Sequence, residues 1–176
     1  MKKSILNICL LLFSFLALSS CTKDDDVSFE KEKERQDILI QEYIKTNNLT
    51  AEKYPSGLYK VILNPGSSRF PSGGLNVTVH YDGETLDGNR FDSSRNRGEP
   101  FTFTLGVGSV ISGWDEGVAT MSEGERSLLI IPSHLAYGTS GSGSAIAGNT
   151  ILVFDVELGT LSLFFLLVSR SLSIER

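Results

Sequence analysis

One stretch constrains the fold more than any other. Val110–Met121, VISGWDEGVATM, holds the only tryptophan of the 176-residue chain between glycines at 113 and 117. Val110, Ile111, Trp114, Val118 and Met121 recur at helical spacing, so one side of a short helix is apolar, with Asp115 and Glu116 on the other. The indole is then either plain core or the floor of a small apolar pocket. The surrounding sequence decides between the two.

That sequence alternates. Leu58–Leu63 reads as a strand. Leu75–Tyr81 puts Leu75, Val77, Val79 and Tyr81 on one face and Asn76, Thr78 and His80 on the other. Phe101–Leu105 groups Phe101, Phe103 and Leu105, and Glu125–Ile131 and Thr150–Leu158 add two strands. Asn64–Gly74 reads as a surface loop, Asp82-Gly83 and Asp87-Gly88 as turns, and Pro132–Thr150 as a long loop. Gly106 and Gly108 turn the chain tightly into a helix predicted over 110–119. Many antiparallel strands and one short helix indicate an α+β domain, a sheet with the helix across its concave face. About 100 residues suffice for such a core.

Ahead of this domain, Lys2 and Lys3 precede Ile5–Leu18, an apolar run too short to span a bilayer but suited to a signal peptide. It ends Leu18-Ser19-Ser20-Cys21, which resembles the lipobox of bacterial lipoproteins. That resemblance implies a signal over residues 1–20, a palmitate-type acyl anchor on Cys21 and a firm membrane attachment. The expected address is the bacterial cell envelope, at the outer membrane, facing the periplasm or the surface. Lys23-Asp24-Asp25-Asp26 is a solvated tether or resembles a surface-export signal. With Cys9 removed and Cys21 acylated, stability rests on the core alone. Loss of Lys2 and Lys3 takes the formal charge from -5 to -7. No Lys/Arg cluster with interleaved aromatics occurs, which argues against nucleic acid as a partner.

Residues 21–56 form an acidic tether and a helical arm. Glu30, Glu32 and Glu34 bias acid toward the start of a helix over 29–46, stopped by Asn47-Asn48. Ile38, Leu39 and Tyr43, with Ile44 at the margin, make a narrow apolar stripe. It suits a spacer holding the domain off a membrane; docking on the domain and self-association are the alternatives, and a monomer is expected.

Within the domain, Val79-His80-Tyr81-Asp82-Gly83, Asp87-Gly88, Phe91-Asp92-Ser93-Ser94, Arg97 and Pro100-Phe101 are followed by Val110–Gly117, Met121 and Gly124. Ile131-Pro132, Leu135-Ala136-Tyr137-Gly138 and Phe154–Leu158 complete the series. In order and spacing this domain, residues 57–159, resembles the FK506-binding-protein (FKBP) type peptidyl-prolyl isomerases, and the arm resembles extensions of their bacterial lipoprotein members. The resemblance implies a strongly twisted antiparallel sheet of five or six strands wrapped around one short helix, after the helical arm. It implies acceleration of rotation about X–Pro bonds in exported proteins, without cofactor or metal. Proline-containing peptides and unfolded exported proteins are the implied partners, with a macrolide as a further pocket ligand.

Carried onto this chain, the resemblance makes Trp114 the floor and Tyr81, Phe91, Phe101, Val110, Ile111 and Phe154 the walls. The Tyr137 hydroxyl and the Ile111 backbone N–H become donors to substrate carbonyls, with Asp92 at the rim. Tyr81, Phe91, Asp92 and Tyr137 are the implied catalytic residues; Phe101, Val110, Ile111, Trp114, Ile146 and Phe154 bind substrate. Asp92 either accepts hydrogen bonds from Tyr81 or Arg97 and holds the wall, or touches the rotating carbonyl. His80 and His134 lack the neighbours of a metal site.

These residues suit the chemistry. An X–Pro amide turns slowly, over a barrier of about 18–20 kcal/mol, because rotation breaks C–N double-bond character. The planar amide is more dipolar than the twisted one, so an apolar pocket penalises the ground state relative to the transition state.

Two stretches depart from the family pattern. Ser144–Asn149 lacks the usual prolines, which predicts a mobile flap and a weaker grip; a low-turnover chaperone or peptide-binding module is the alternative function. Residues 160–176 add the apolar run Leu161–Val168, too short to span a bilayer. With the arm, this tail supports a third reading, a membrane-anchored interaction domain.

Overall fold

A computed structural model describes residues 23–159 and 161. The chain divides into two units, Met1–Arg35 and Gln36–Arg176. The described part of the first is the opening of helix α1 (Lys23–Thr46), where Lys33 pairs with Glu30 at 3.2 Å and Arg35 with Glu32 at 2.6 Å. The helix begins earlier than the expected residue 29. It stops where expected: Asn47 returns its N–H and its Nδ2 to the Tyr43 carbonyl at 3.0 and 2.9 Å, and Asn48 takes a left-handed φ of 53°.

The second unit is an antiparallel sheet: β1 (Glu52–Lys53), β2 (Tyr59–Asn64), β3 (Asn76–Thr85), β4 (Arg90–Ser93), β5 (Phe101–Thr104), β6 (Arg126–Ile131) and β7 (Leu152–Leu158). Its order is β1-β2-β6-β7-β3-β4, with β5 also on β3. The fold is α+β, a twisted antiparallel sheet around a short helix, with seven strands rather than five or six. The excess comes from the two-residue β1 and from one edge of β3 being shared. Residues 76–79 of β3 pair with β5, and residues 82–84 pair with β4. Between those partners the chain leaves the edge through the short helix α2 (Ser94–Arg97). Ser93 Oγ caps it by accepting from Asn96 N–H at 3.0 Å, and Gly98 ends it at φ 72°.

β3 is longer than its sequence predicts. Asp82-Gly83 is strand, not turn, and the chain reverses only at Asp87-Gly88, where Gly88 N–H reaches the Thr85 carbonyl at 2.9 Å. Gly83 is there for space. A Cβ at this position would stand 2.8 Å from Phe154 Cε1 and 2.9 Å from Phe91 Cε2. Leu75 precedes the strand and is 53% exposed, so it does not join Val77, Val79 and Tyr81 on the core face.

Helix α3 (Ser112–Ala119) crosses that face. Glycines bring it close: a Cβ at Gly113 would stand 2.4 Å from Ile131 Cγ2, and one at Gly117 2.7 Å from Leu129 Cδ1. Val118, Met121, Leu129, Ile131, Phe103 and Leu105 fill the space between. The helix starts two residues later than predicted. Ile111 caps it in an extended conformation, φ -60° and ψ 148°.

The opposite face of the sheet is covered too. Strand alternation sends Tyr59, Ile130 and Val153 there, and they bury Ile40 of α1 with Ile151. From Gln36 onward α1 is therefore docked, which corrects the spacer reading. Gln36 and Ile40 are buried and Leu39, Tyr43 and Ile44 pack half-buried beside them, whereas Ile38 is 66% exposed. Asp37 secures it, accepting from Tyr59 Oη at 2.7 Å and pairing with Lys53 Nζ at 2.6 Å. Of the tail, only Leu161 is described, bonded through its N–H to Glu123 Oε1 at 3.0 Å.

Among the described residues one ion pair is buried. Lys60 Nζ lies 3.4 Å from Glu125 Oε1 and donates to the Thr120 carbonyl at 3.0 Å. Glu125 also accepts from Ser122 N–H at 3.0 Å and Ser127 Oγ at 2.8 Å. Burial alone raises its carboxyl, but these bonds and Lys60 outweigh that and hold it below the ordinary value.

Candidate active site

The indole of Trp114, 4% exposed, is surrounded by rings. Tyr81 meets it edge-on at 5.0 Å between centroids, Phe154 at 5.2 Å and Phe101 at 5.9 Å. Phe91 extends the wall by standing edge-on to Phe154 at 5.6 Å. Each ring is delivered by a different element: Tyr81 by the core-facing side of β3, Phe154 by β7, Phe91 and Phe101 by the two strands sharing the far edge of β3. Such edge-to-face contacts contribute about 0.5–1.5 kcal/mol each beyond burial. The indole Nε1–H is buried without a hydrogen-bond partner among the described residues.

Above the indole opens a hollow of about 240 Å³. Tyr81, Phe91, Phe101, Trp114 and Phe154 make its apolar lining, and Val110, Ile111, Ser109, Asp92 and Tyr137 make its mouth. Nine of the ten positions named from the sequence thus border one cavity. Ile146 does not; it is 6% exposed and packed in the core cluster rather than at the pocket edge. Ser109 was not anticipated. Its hydroxyl donates to the Thr104 carbonyl at 2.9 Å, and the same turn is pinned by Asp115, whose two oxygens accept from Gly106 and Gly108 N–H at 2.9 Å each. The signal available was an acidic residue in the first turn of a helix that follows a glycine-rich loop.

The rim is charged. Asp92 Oδ2 accepts from the Tyr81 hydroxyl, while Oδ1 accepts from Arg97 Nη1 and from Ser93 N–H at 2.8 Å. Arg97 Nη2 also donates to the Tyr81 oxygen at 3.0 Å, closing the triangle. Burial pushes the Asp92 carboxyl up, but the bonds from Tyr81 and Arg97 outweigh it, so it sits below the ordinary 3.8. Burial and then the Asp92 carboxylate raise the Tyr81 phenol above 10.0. Both groups therefore keep fixed protonation at neutral pH, and neither is poised to exchange a proton. Ile111 N–H is used by no backbone carbonyl among the described residues.

Tyr137 follows a 3-10 turn (Ser133–Leu135), is 39% exposed and borders the mouth. The loop beyond it is bonded to itself. Ser142 and Ile146 exchange backbone hydrogen bonds at 2.8 and 3.2 Å, and Asn149 N–H reaches the Gly138 carbonyl at 2.8 Å. Among the described residues, no group of three His, Cys, Asp or Glu side chains could hold a metal ion.

Comparison with known proteins gives a consistent picture. The profile of the family described as FKBP-type peptidyl-prolyl cis-trans isomerase matches residues 67–159. FK506-binding protein 1 of Dictyostelium discoideum is 51% identical over 104 residues, 59% of this chain and 97% of that protein. Peptidyl-prolyl cis-trans isomerase Fkbp12 of Drosophila melanogaster is 52% identical over 103 residues, 58% of this chain and 95% of that one. The crystal structure of AtFKBP13 matches with a TM-score of 0.61 and 35% identity, over 64% of this chain and 99% of that chain.

These matches also correct the sequence reading. The relatives come from a slime mould, a fly and a yeast, which overturns the bacterial lipoprotein form, its acyl anchor and its envelope address. Cys21 and the apolar run before it lie outside the described residues. A four-residue lipobox carries little information beside a hundred residues of matched domain. The restriction to exported proteins and the membrane-anchored interaction domain lose their basis with that address.

Proposed function

The chain belongs to the FKBP-type peptidyl-prolyl cis-trans isomerase family, and we propose that the aromatic hollow over Trp114 is where its X–Pro bond turns. The observation that carries this reading is the convergence of Tyr81, Phe101 and Phe154 on one indole, with a carboxylate locked at the rim.

The proline ring of an extended peptide lies against the indole and is gripped by Phe91, Phe101 and Phe154. The preceding carbonyl swings while the ring stays still, so the reactive bond is held near its turning geometry. Excluding water from the planar amide raises the ground state, and the less dipolar twisted amide is penalised less. The Ile111 N–H and the Tyr137 hydroxyl donate to carbonyls flanking the bond. Asp92 acts through Tyr81, keeping its ring edge-on to Trp114. No covalent bond forms or breaks, so the reaction needs neither nucleophile nor cofactor. FK506, which several relatives bind by name, fills the same hollow.

A binding module with little turnover drew its support from the proline-free loop at Ser144–Asn149. The backbone bonds closing that loop and the burial of Ile146 favour turnover instead.

A protease-coupled assay on a proline peptide, with and without FK506, tests the reading. Turnover abolished by FK506 is expected. FK506 binding without turnover would turn the conclusion to the binding module, and absence of both would overturn the pocket assignment. Tyr137→Phe should lower kcat/KM about three- to tenfold, the worth of one hydrogen bond.

A further inference from the structure

Helix α1 precedes the residues matched by the family profile, yet one of its side chains reaches the base of the loop that carries Tyr137. Gln36 is 1% exposed. Its Oε1 accepts from Ser133 N–H at 2.8 Å, and its Nε2 donates to Ser133 Oγ at 2.8 Å and to the Asn149 carbonyl at 3.3 Å. Ser133 lies near the start of the β6–β7 loop and Asn149 near its end, so one primary amide bridges the two.

The bonds continue from there to the pocket. The Ser133 carbonyl accepts from Ala136 N–H at 2.9 Å and Gly138 N–H at 2.8 Å, the two residues flanking Tyr137. The Gly138 carbonyl in turn accepts from Asn149 N–H at 2.8 Å. One turn along α1, Ile40 is buried against Ile151 and Val153, where the loop re-enters the sheet. Residues 144–149 lack prolines, so the Gln36 bonds add to the loop's own backbone bonds in fixing its shape. An amide can serve here because it both donates and accepts at a position closed to bulk solvent.

We propose that Gln36 is a positioning residue for the isomerase reaction: by bridging Ser133 and Asn149 it sets the loop that aims the Tyr137 hydroxyl at the substrate. The proposal rests on the pocket reading above. It makes an arm outside the family domain part of the catalytic apparatus.

The test uses the full chain in a protease-free assay of proline-peptide exchange. Gln36→Leu keeps bulk and removes every bond; Gln36→Glu can donate to the Asn149 carbonyl only while its carboxyl is protonated, and when ionised it keeps the Ser133 bonds but faces that carbonyl without a donor. Gln36→Leu is expected to lower kcat/KM about three- to tenfold, the range of one to two hydrogen bonds. In a Tyr137→Phe background the same change should cost less than about twofold, because the hydroxyl being aimed is gone. Gln36→Glu should follow the wild type at low pH and fall toward Gln36→Leu as pH rises, a profile the wild type lacks.

Wild-type kcat/KM in folded Gln36→Leu overturns the proposal, and so does a loss that is unchanged beside Tyr137→Phe. Where Gln36→Leu does not fold, the Gln36→Glu profile decides, and a profile parallel to the wild type overturns it. An inactive wild type would instead be a failure of the pocket reading. FK506 affinity would then read the loop, with equal affinity in wild type and Gln36→Leu overturning the proposal.

Discussion

The Tyr81 hydroxyl donates to Oδ2 of Asp92 across the β3–β4 pairing, while the ring of the same tyrosine stands edge-on to Trp114. One phenol thus joins the charged rim to the aromatic floor. Both Asp92 oxygens are occupied, by Tyr81 on one side and by Arg97 and Ser93 on the other.

Asp92→Asn should disturb floor and rim together. An amide offers one acceptor oxygen where the carboxylate offers two, and its NH2 would face donors. Turnover and FK506 affinity are each expected to fall about three- to tenfold, with about 1–3 kcal/mol of stability lost. Parallel kinetics and ligand titration check this. A fall in kcat/KM with unchanged FK506 affinity would assign Asp92 direct contact with the rotating carbonyl.

Acid should unfold the domain through a few carboxyls. For Asp37, Asp82, Asp92 and Glu125, burial raises the value but hydrogen bonds and cationic neighbours outweigh it, so each lies below 3.8 or, for Glu125, 4.5. A depressed folded value means the unfolded chain takes up protons first. The stabilisation is complete above the unfolded-state values and is lost as pH falls through them toward the lower folded values. Calorimetry between pH 7 and 2 should show a Tm nearly flat above about 5 and falling below about 4. A Tm independent of pH down to the acid limit would contradict it.

Gly83→Ala should damage the pocket from behind. The added methyl meets Phe154 and Phe91 at under 3 Å, and both rings line the hollow. The expected cost is about 1–3 kcal/mol, with FK506 affinity reduced by more than the stability change explains. Urea denaturation and ligand titration on the same sample separate the two.

Lys60→Met should destabilise by about 3–5 kcal/mol, because it strands the Glu125 carboxylate in the interior. Adding Glu125→Gln should recover most of that loss, since the amide oxygen still accepts from Ser122 N–H and the NH2 can donate to Ser127 Oγ, a hydroxyl that also accepts. Urea midpoints of the two proteins give the comparison, and equal midpoints would show that Lys60 alone is responsible.

Much of this molecule can be read from its residue order, where a local pattern has one structural outcome. The alternation through Val77, Val79 and Tyr81 and the helical spacing around Trp114 are of that kind; Phe91, Asp92, Phe101, Tyr137 and Phe154 are named only through the family resemblance, and they border the same hollow. Failures fall where distant contacts decide. Asp82-Gly83 has turn composition, but two phenylalanine rings from other strands need the missing Cβ. Ile38 and Ile40 are equally apolar, and only the geometry of the sheet's second face selects Ile40. Ile146 sits in a loop yet is drawn into the core. Ser109 becomes part of the mouth because Asp115 pins its turn. The lipobox reading failed for a different reason: four residues after an apolar run constrain very little.

The outer borders of the sheet bear on the company this protein keeps. At one border β1 is two charged residues, Glu52 and Lys53; at the other, β4 and β5 are four residues each with a helical detour between them. These outer strands are four residues or fewer, which limits the row of free amides and carbonyls each presents. Extended polypeptide segments readily zip onto any available ladder. At these borders such a segment meets only short ladders on which to pair.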